Sequence, residues 1–234
     1  MSPLTGVLRE AWATYKAYAA HFLVIAFVLY LVAAVISALL TAVAGLPGGA
    51  AGSVINVFCM FLLQAALVKA VQDVRDGRVD LDFRGTLSAA LPYVLSVAAA
   101  SILAAIAIVI GFALLIVPGL ILLTFWSLIV PSIVIGESPA LASFGRSWRT
   151  VRGNAWNVFG TYVLVFLIYV AVQIVLSLIF SVLPGSGRSF IADIVSGTLV
   201  TPFISIVVSL IYYRLTAAHA NQAPPGYGYP PPPG

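Results

Sequence analysis

The chain has 234 residues, of which 62% are apolar and 8% are charged, with 11 lysines and arginines against 7 aspartates and glutamates. A soluble domain is about half apolar and about a quarter charged, so this composition excludes a soluble globular protein. It also excludes a large catalytic domain outside a membrane, because no polar stretch reaches about 50 residues.

The first segment predicts an amphipathic helix that lies at the membrane surface. Its apolar side chains recur at helical spacing and include Leu4, Leu8, Trp12 and Tyr15. Arg9 and Lys16 occupy another face, where they meet lipid headgroups, and Trp12 falls at the depth where indoles partition well. Ser2 and Pro3 predict the helix start, as an N-cap and a first-turn proline.

Six apolar runs follow, each long enough, at about 1.5 Å per residue, to cross a hydrocarbon core about 30 Å thick. They lack the alternation of barrel strands, and helices satisfy their own backbone groups in lipid. We therefore predict an all-α polytopic protein with spans at about 22–45, 53–72, 92–117, 119–136, 157–182 and 191–213. Ala42-Val43-Ala44 has the form of a signal-peptide cleavage site. The run before it is too long for a signal peptide, so we expect it to remain as a span.

Basic residues are concentrated in alternate connections, which predicts the orientation. Arg188 is the one cation among the 11 that lies in the other connections. The remaining cations are Arg9, Lys16, Lys69, Arg75, Arg78, Arg84, Arg146, Arg149, Arg152 and Arg214. The positive-inside rule places their side in the cytoplasm. We expect a multi-pass protein of the cell membrane with both termini cytoplasmic.

A second amphipathic segment precedes span five. One face of this segment carries Leu141, Phe144, Trp148 and Val151, and the other carries Ser143, Arg146, Arg149 and Thr150. We expect Arg146, Trp148, Arg149 and Arg152 to contact lipid headgroups. Ser138 and Pro139 predict the start of this helix, and Gly153 predicts that the helix ends in a left-handed backbone conformation.

The two amphipathic segments align without gaps, so that Trp12 matches Trp148 and Lys16 matches Arg152. A weaker copy begins at Asp82. We infer three repeats, each an interfacial helix followed by a transmembrane hairpin, at about 2–76, 82–137 and 138–216. Together they form a single membrane domain over 1–216, and 217–234 is predicted to be a disordered tail rich in proline, glycine and tyrosine. A motif in this tail that recruits a protein partner is the alternative.

Few polar side chains fall within the spans. Gln64 and Gln173 predict hydrogen bonds between helices or a small polar path, and Asp193 is expected near the outer surface at a helix start. Pro131 predicts a kink in span four. Glu137 follows it and is expected to meet Arg146 or Arg149.

The turn between spans three and four is predicted at Val117-Pro118-Gly119, and it is so short that the two spans must pack together.

The sequence lacks the motifs that would indicate a catalytic site or a metal site. Cys59 has no second cysteine, and His21 and His219 stand without other metal ligands at the right spacing. No nucleophile elbow and no phosphate-binding glycine loop occurs. Arginines of the second connection alternate with aspartates, which disfavours nucleic acid. We expect no enzyme activity, no metal and no cofactor, and lipids, mainly anionic, as partners.

Several motifs resemble a bacterial family of six-span proteins. They are the stretch 115–119, Trp126-Ser127-Leu128, Ser143-Phe144-Gly145-Arg146-Ser147-Trp148, Val151-Arg152-Gly153-Asn154 and Trp156-Asn157-Val158-Phe159-Gly160. That family is similar to the membrane domain of glycerophosphoryl diester phosphodiesterases. The resemblance implies a membrane domain of undefined role without the catalytic barrel, so no catalytic residue is carried over.

Three functions remain open. The first is a scaffold, assembly or envelope-homeostasis component that contacts lipids through basic interfacial helices. The second is a small transporter or permease subunit with a site between the repeated hairpins. The third is a lipid-active enzyme that brings His21 and Glu137 into one cleft.

Overall fold

The computed structural model describes residues 3–181 and 187–222, with the side chains of 76, 187–191 and 193 left outside the description. Within these ranges the chain is mainly helical and contains no strand, which confirms the predicted all-α class. The helices are α1 (Val7–Ala17), α2 (Ala19–Asp73), α3 (Phe83–Leu114), α4 (Ile116–Phe125), α5 (Ile129–Val134), α6 (Ala140–Val151), α7 (Ala155–Phe180) and α8 (Gly187–Gln222). A 3-10 turn, Val74–Asp76, follows α2.

Five stretches of the described chain are long and apolar enough to cross a membrane. The first of them, α2, has 55 residues and is interrupted at Gly45, whose φ of 59° lies in the left-handed region that favours glycine. Its two arms run side by side, because the Asn56 side chain in the second arm donates to Ser37 Oγ in the first at 2.5 Å. The chain thus forms six spans, as predicted. They are the first arm of α2, the second arm of α2, α3, α4 together with α5, α7, and α8.

The turn between spans three and four lies at Leu115, earlier than predicted. Leu115 is extended (φ −161°, ψ 151°) and α4 begins at the next residue, so Pro118 and Gly119 lie in the first turn of α4. Proline is tolerated there because the first N–H groups of a helix lack partners within it. The predicted close packing is confirmed, since a Cβ added at Gly111 would lie 3.1 Å from Gly119 Cα.

The predicted starts of both amphipathic helices are wrong. α1 begins at Val7 with Gly6 as its N-cap, so Pro3 precedes the helix, and Ser2 lies outside the described residues. α6 begins at Ala140, and Ser138 turns back to the carbonyl of Gly136 instead of capping the helix. The left-handed end predicted at Gly153 is confirmed by its φ of 89°.

The weaker copy of the amphipathic segment, which begins at Asp82, is continuous with span three, since α3 runs unbroken from Phe83 to Leu114. Its N-cap is Asp82, whose carboxylate accepts from Gly85 N at 2.7 Å. At the other end of the chain, α8 continues to Gln222. The predicted tail boundary at 216 therefore falls within a helix, and the rest of the tail lies outside the described residues.

The last span, α8, is the centre of the bundle and packs against α1, α2, α5, α6 and α7. By contrast α7 is peripheral, because Val158 and Val165 are its two buried residues. We call the end that carries α1, α6 and Arg214 the basic end. The turns at Gly45 and Leu115 lie at the opposite end of the spans.

Candidate functional site

The basic end presents most of the residues that the sequence predicts at lipid headgroups. Arg9, Lys16, Arg149 and Arg152 are exposed, and so are the indoles of Trp12 (52%) and Trp148 (38%). Arg146 is partly buried, with its guanidinium beside Gly136. The two short helices that carry these side chains are fixed to the bundle in different ways.

The helix α1 is held at its start by Arg214 of α8. The Arg214 guanidinium donates to Thr5 O at 2.6 Å and to Pro3 O at 3.3 Å, and it forms an ion pair with Glu10. Because this pairing uses the carboxylate of Glu10, the exposed side of α1 is left with its positive charges. Leu4, Val7 and Ala11 form the buried side beneath it.

The second half of α1 is held by an aromatic cluster. The rings of Trp12 and Tyr15 stack at 5.8 Å, and both meet Phe203 of α8 edge to face. Tyr15 also donates its hydroxyl to Leu199 O at 3.0 Å. Burial raises the pKa of Tyr15 above its usual value, so the phenol keeps the proton that it donates. Lys16 Nζ lies 5.6 Å from the centre of the Trp12 ring.

The helix α6 meets the bundle through its small polar side chains. Ser143, Ser147, Thr150 and Val151 are buried, whereas Leu141 is 75% exposed. The predicted faces therefore shift: Leu141 is directed away from the bundle, and Val151 belongs to the buried side with the hydroxyl residues. Phe144 and Trp148 lie between these two sides and contact the rings of Trp126 and Phe125. In a membrane, apolar side chains gain little from turning inward, because lipid is as apolar as they are.

A break between α4 and α5 explains why α6 buries a hydroxyl group against the bundle. Ser147 Oγ donates to Phe125 O at 2.7 Å and accepts from Leu128 N at 3.2 Å. Pro131 lacks the N–H that would bond Ser127 O four residues earlier, and Tyr162 of α7 donates to that oxygen instead at 3.2 Å. The kink predicted from Pro131 is thus confirmed, and its freed backbone groups are satisfied by α6 and α7.

Glu137 does not meet the arginines of α6 as predicted. Its carboxylate accepts from Tyr93 Oη at 3.4 Å, and Lys69 Nζ lies 4.8 Å from the centre of the Tyr93 ring. The backbone of Glu137 has a φ of 48°, which is uncommon for a residue other than glycine. The loop after α5 therefore points this carboxylate toward α2 and α3.

The intramembrane polar residues do not converge. Gln173 donates to Ser196 of α8 at 2.8 Å and to the Tyr169 hydroxyl at 2.9 Å, which confirms an interhelical hydrogen bond. Gln64 lies on α2, within the described part of the chain, and no hydrogen bond joins it to these groups. The side chain of Asp193 lies outside the description.

His21 and Glu137 are likewise not joined by a described hydrogen bond. The His21 ring meets Phe22, and its Nε2 is buried without a polar partner. Among the described residues, no group of three or more histidines, cysteines, aspartates and glutamates could hold a metal ion.

Of the clefts that open on the surface of the described spans, two are considered as sites. The first has a volume of about 500 Å³ and lies between α1, α7 and α8, with walls that are almost wholly apolar. The second has a volume of about 620 Å³ and lies between the first arm of α2, Asn56 and α8. Tyr30, Ser37, Thr41 and Asn56 give this second cleft a partly polar lining.

A sequence model of a family described as Domain of unknown function (DUF7847) matches residues 79–223, which is more than half of the chain. The match includes α3 to α8 and ends beyond the last span, whereas α1 and α2 precede it. Searches of curated proteins and of solved structures find no match.

Proposed function

The chain belongs to the DUF7847 family, whose description assigns no activity, and we propose its function from the geometry of the basic end. The protein is a non-enzymatic membrane component, acting in scaffolding, assembly or envelope homeostasis, that contacts anionic lipid through α1 and α6. The resemblance to the membrane domain of glycerophosphoryl diester phosphodiesterases stays a prediction beside this proposal.

One observation carries the proposal. Exposed cations and exposed indoles occur together on two short helices at the same end of the bundle, with Trp12 beside Lys16 on α1 and Trp148 beside Arg149 on α6. Indoles favour the membrane interface, and each cation near an anionic surface contributes about 1 kcal/mol. This combination favours a leaflet rich in anionic headgroups.

Lipid selection by the reconstituted protein tests the proposal. The full chain is placed in vesicles with equal amounts of phosphatidylglycerol and phosphatidylcholine, and spin-labelled lipids report which headgroup is held at the protein surface. We expect a preference for phosphatidylglycerol that weakens as salt is added. Replacing Arg149 and Arg152 by glutamine should also lower the preference for phosphatidylglycerol. Equal retention of both lipids by the wild-type protein would contradict the proposal.

The orientation is part of the same proposal: the basic end faces the cytoplasm, with both termini on that side. A Thr5→Cys variant, in a background where Cys59 is replaced by serine, provides the test. A membrane-impermeant maleimide should label it after the cells are opened and not before. Labelling of intact cells would show the opposite orientation.

The partly polar cleft beside α2 favours transport as a second candidate. Asn56 is exposed in the second arm of α2, about 16 Å from the Gly45 turn at 1.5 Å per residue, and amides in lipid are costly. A transporter would hold a polar solute against Asn56, Ser37 and Tyr30. Purification in native lipid decides between the two: a stoichiometric solute that is lost in an Asn56→Leu variant would replace our first proposal with transport.

A further inference from the structure

We propose that the cleft between α1, α7 and α8 binds one acyl chain of an anionic phospholipid, whose headgroup contacts Arg9 and Lys16. This inference rests on the proposed function and assigns it a specific site. The proposed lipid is a resident one, held in a defined position, and differs in this from the exchanging lipids that surround every membrane protein.

The walls of the cleft fit a hydrocarbon chain. They are formed by Leu8, Trp12 and Tyr15 of α1, by four side chains between Val165 and Val172 of α7 and by four between Leu199 and Ile204 of α8. The polar group of Tyr15 is already used, because its hydroxyl donates to Leu199 O. An occupant therefore meets apolar surface, and a polar solute would lose its hydrogen bonds to water without replacement.

The cleft opens sideways into the lipid. Ile168 and Tyr169 line it and are 42% and 37% exposed, and Leu199 on the facing helix is 39% exposed. On α7 the lining begins at Val165, about 15 Å from the helix start at Ala155 at 1.5 Å per residue. A chain from the leaflet at the basic end can therefore enter from the side and reach the hydrocarbon depth of the spans.

The charge of α1 identifies the class of headgroup. Arg9, Trp12 and Lys16 share one side of the helix, since they are spaced by three and four residues. Trp12 also lines the cleft, and Lys16 Nζ lies 5.6 Å from the centre of its ring. Glu10, the nearest carboxylate on α1, is paired with Arg214. Exposed cations thus lie on α1 beside the side chains that line the cleft, and they complement a phosphate and a further negative charge.

Native mass spectrometry tests the site. The full-length protein is extracted in mild detergent from vesicles with equal amounts of phosphatidylglycerol and phosphatidylcholine, and the retained phospholipids are counted by headgroup. We expect the wild type to retain a single phosphatidylglycerol. A Val172→Trp variant fills part of the cleft and should lose it. Val163→Trp is the matched control on the opposite side of α7, where Val163 is 39% exposed, and it should retain the lipid.

Charge variants test the headgroup. Replacing Lys16 or Arg9 by glutamine should lower the ratio of retained phosphatidylglycerol to phosphatidylcholine by about fivefold per cation. The same change at Arg84, an exposed cation of α3, should leave the ratio of the retained lipid unchanged. Equal changes at Arg84 and Lys16 would overturn the assignment of the headgroup to α1.

The outcomes separate this inference from the proposed function. If spin-labelled phosphatidylglycerol is preferred at the protein surface but Val172→Trp retains as much lipid as Val163→Trp, the cleft is not a lipid site and the proposed function stands. If the wild type shows no preference at its surface, the proposed function fails. Both variants are checked for a single peak in size-exclusion chromatography, so that loss of lipid is measured on folded protein.

Discussion

Replacing Ser147 by alanine should destabilise the bundle more than its small volume suggests. Ser147 is fully buried, and its hydroxyl satisfies both Phe125 O and Leu128 N at the break between α4 and α5. Alanine would leave both groups without a partner, away from water. An unsatisfied buried group costs about 1–3 kcal/mol, and hydrogen bonds between helices in membranes contribute about 0.6 kcal/mol on average. We expect a loss of about 2–4 kcal/mol.

Ser143 on the same helix provides a matched control. It is also fully buried, but its hydroxyl donates to Ala140 O within α6 at 2.6 Å. Its removal leaves no group of another helix unpaired, so Ser143→Ala should change the free energy of unfolding by less than about 0.5 kcal/mol. Both variants gain the same helix propensity, so this gain cancels in the comparison.

The measurement is reversible unfolding in mixed micelles as the fraction of sodium dodecyl sulfate rises, followed by far-ultraviolet circular dichroism. The midpoint should fall for Ser147→Ala and stay near the wild-type value for Ser143→Ala. Equal midpoints for the two variants would refute the reasoning, because they would show that the break does not depend on the Ser147 hydroxyl.

Three further predictions concern contacts between helices. Gly111→Ala places a Cβ 3.1 Å from Gly119 Cα and should cost about 1–3 kcal/mol in the same titration; an unchanged midpoint would show that α3 and α4 can separate freely. Gln173→Leu removes the bond to Ser196 and should cost about 0.6–2 kcal/mol, with a wild-type midpoint as the contradicting result. Arg214→Gln releases the start of α1, so amide hydrogen exchange should accelerate in α1 and remain unchanged in α7.

The sequence predicts the spans well because a membrane imposes their length and composition. Over most of its length, each predicted run coincides with a described helix or pair of helices, and the differences lie at the ends and turns. The turn at Leu115 could not be predicted, because Pro118 and Gly119 are turn formers that here serve a helix start and a close approach between α3 and α4. Whether these two residues form a turn or a helix start depends on the helix that packs against them, and the local sequence carries no information about that helix.

The candidate site could be predicted only in part. Arg9, Lys16 and Trp12 are recognisable from helical spacing and charge, since both are local properties. The hydrogen bonds of Ser147 and Tyr15 were missed, because each satisfies a backbone carbonyl that lies far away in the sequence. The kink at Pro131 gave a usable signal for Ser147: it indicates freed carbonyls, and a serine on an adjacent amphipathic helix is a donor for them.

The bond between Arg214 and the start of α1 constrains the order in which the protein is assembled. Thr5 is made long before Arg214, because 209 positions separate them in the sequence, so the partner of Thr5 O emerges from the ribosome well after Thr5 itself. Until α8 is inserted, α1 lacks both this arginine and the Phe203 ring. Among the described helices, α1 is therefore made first and fixed only after α8, and a chain that stops before α8 leaves α1 exposed to the quality-control machinery of the membrane.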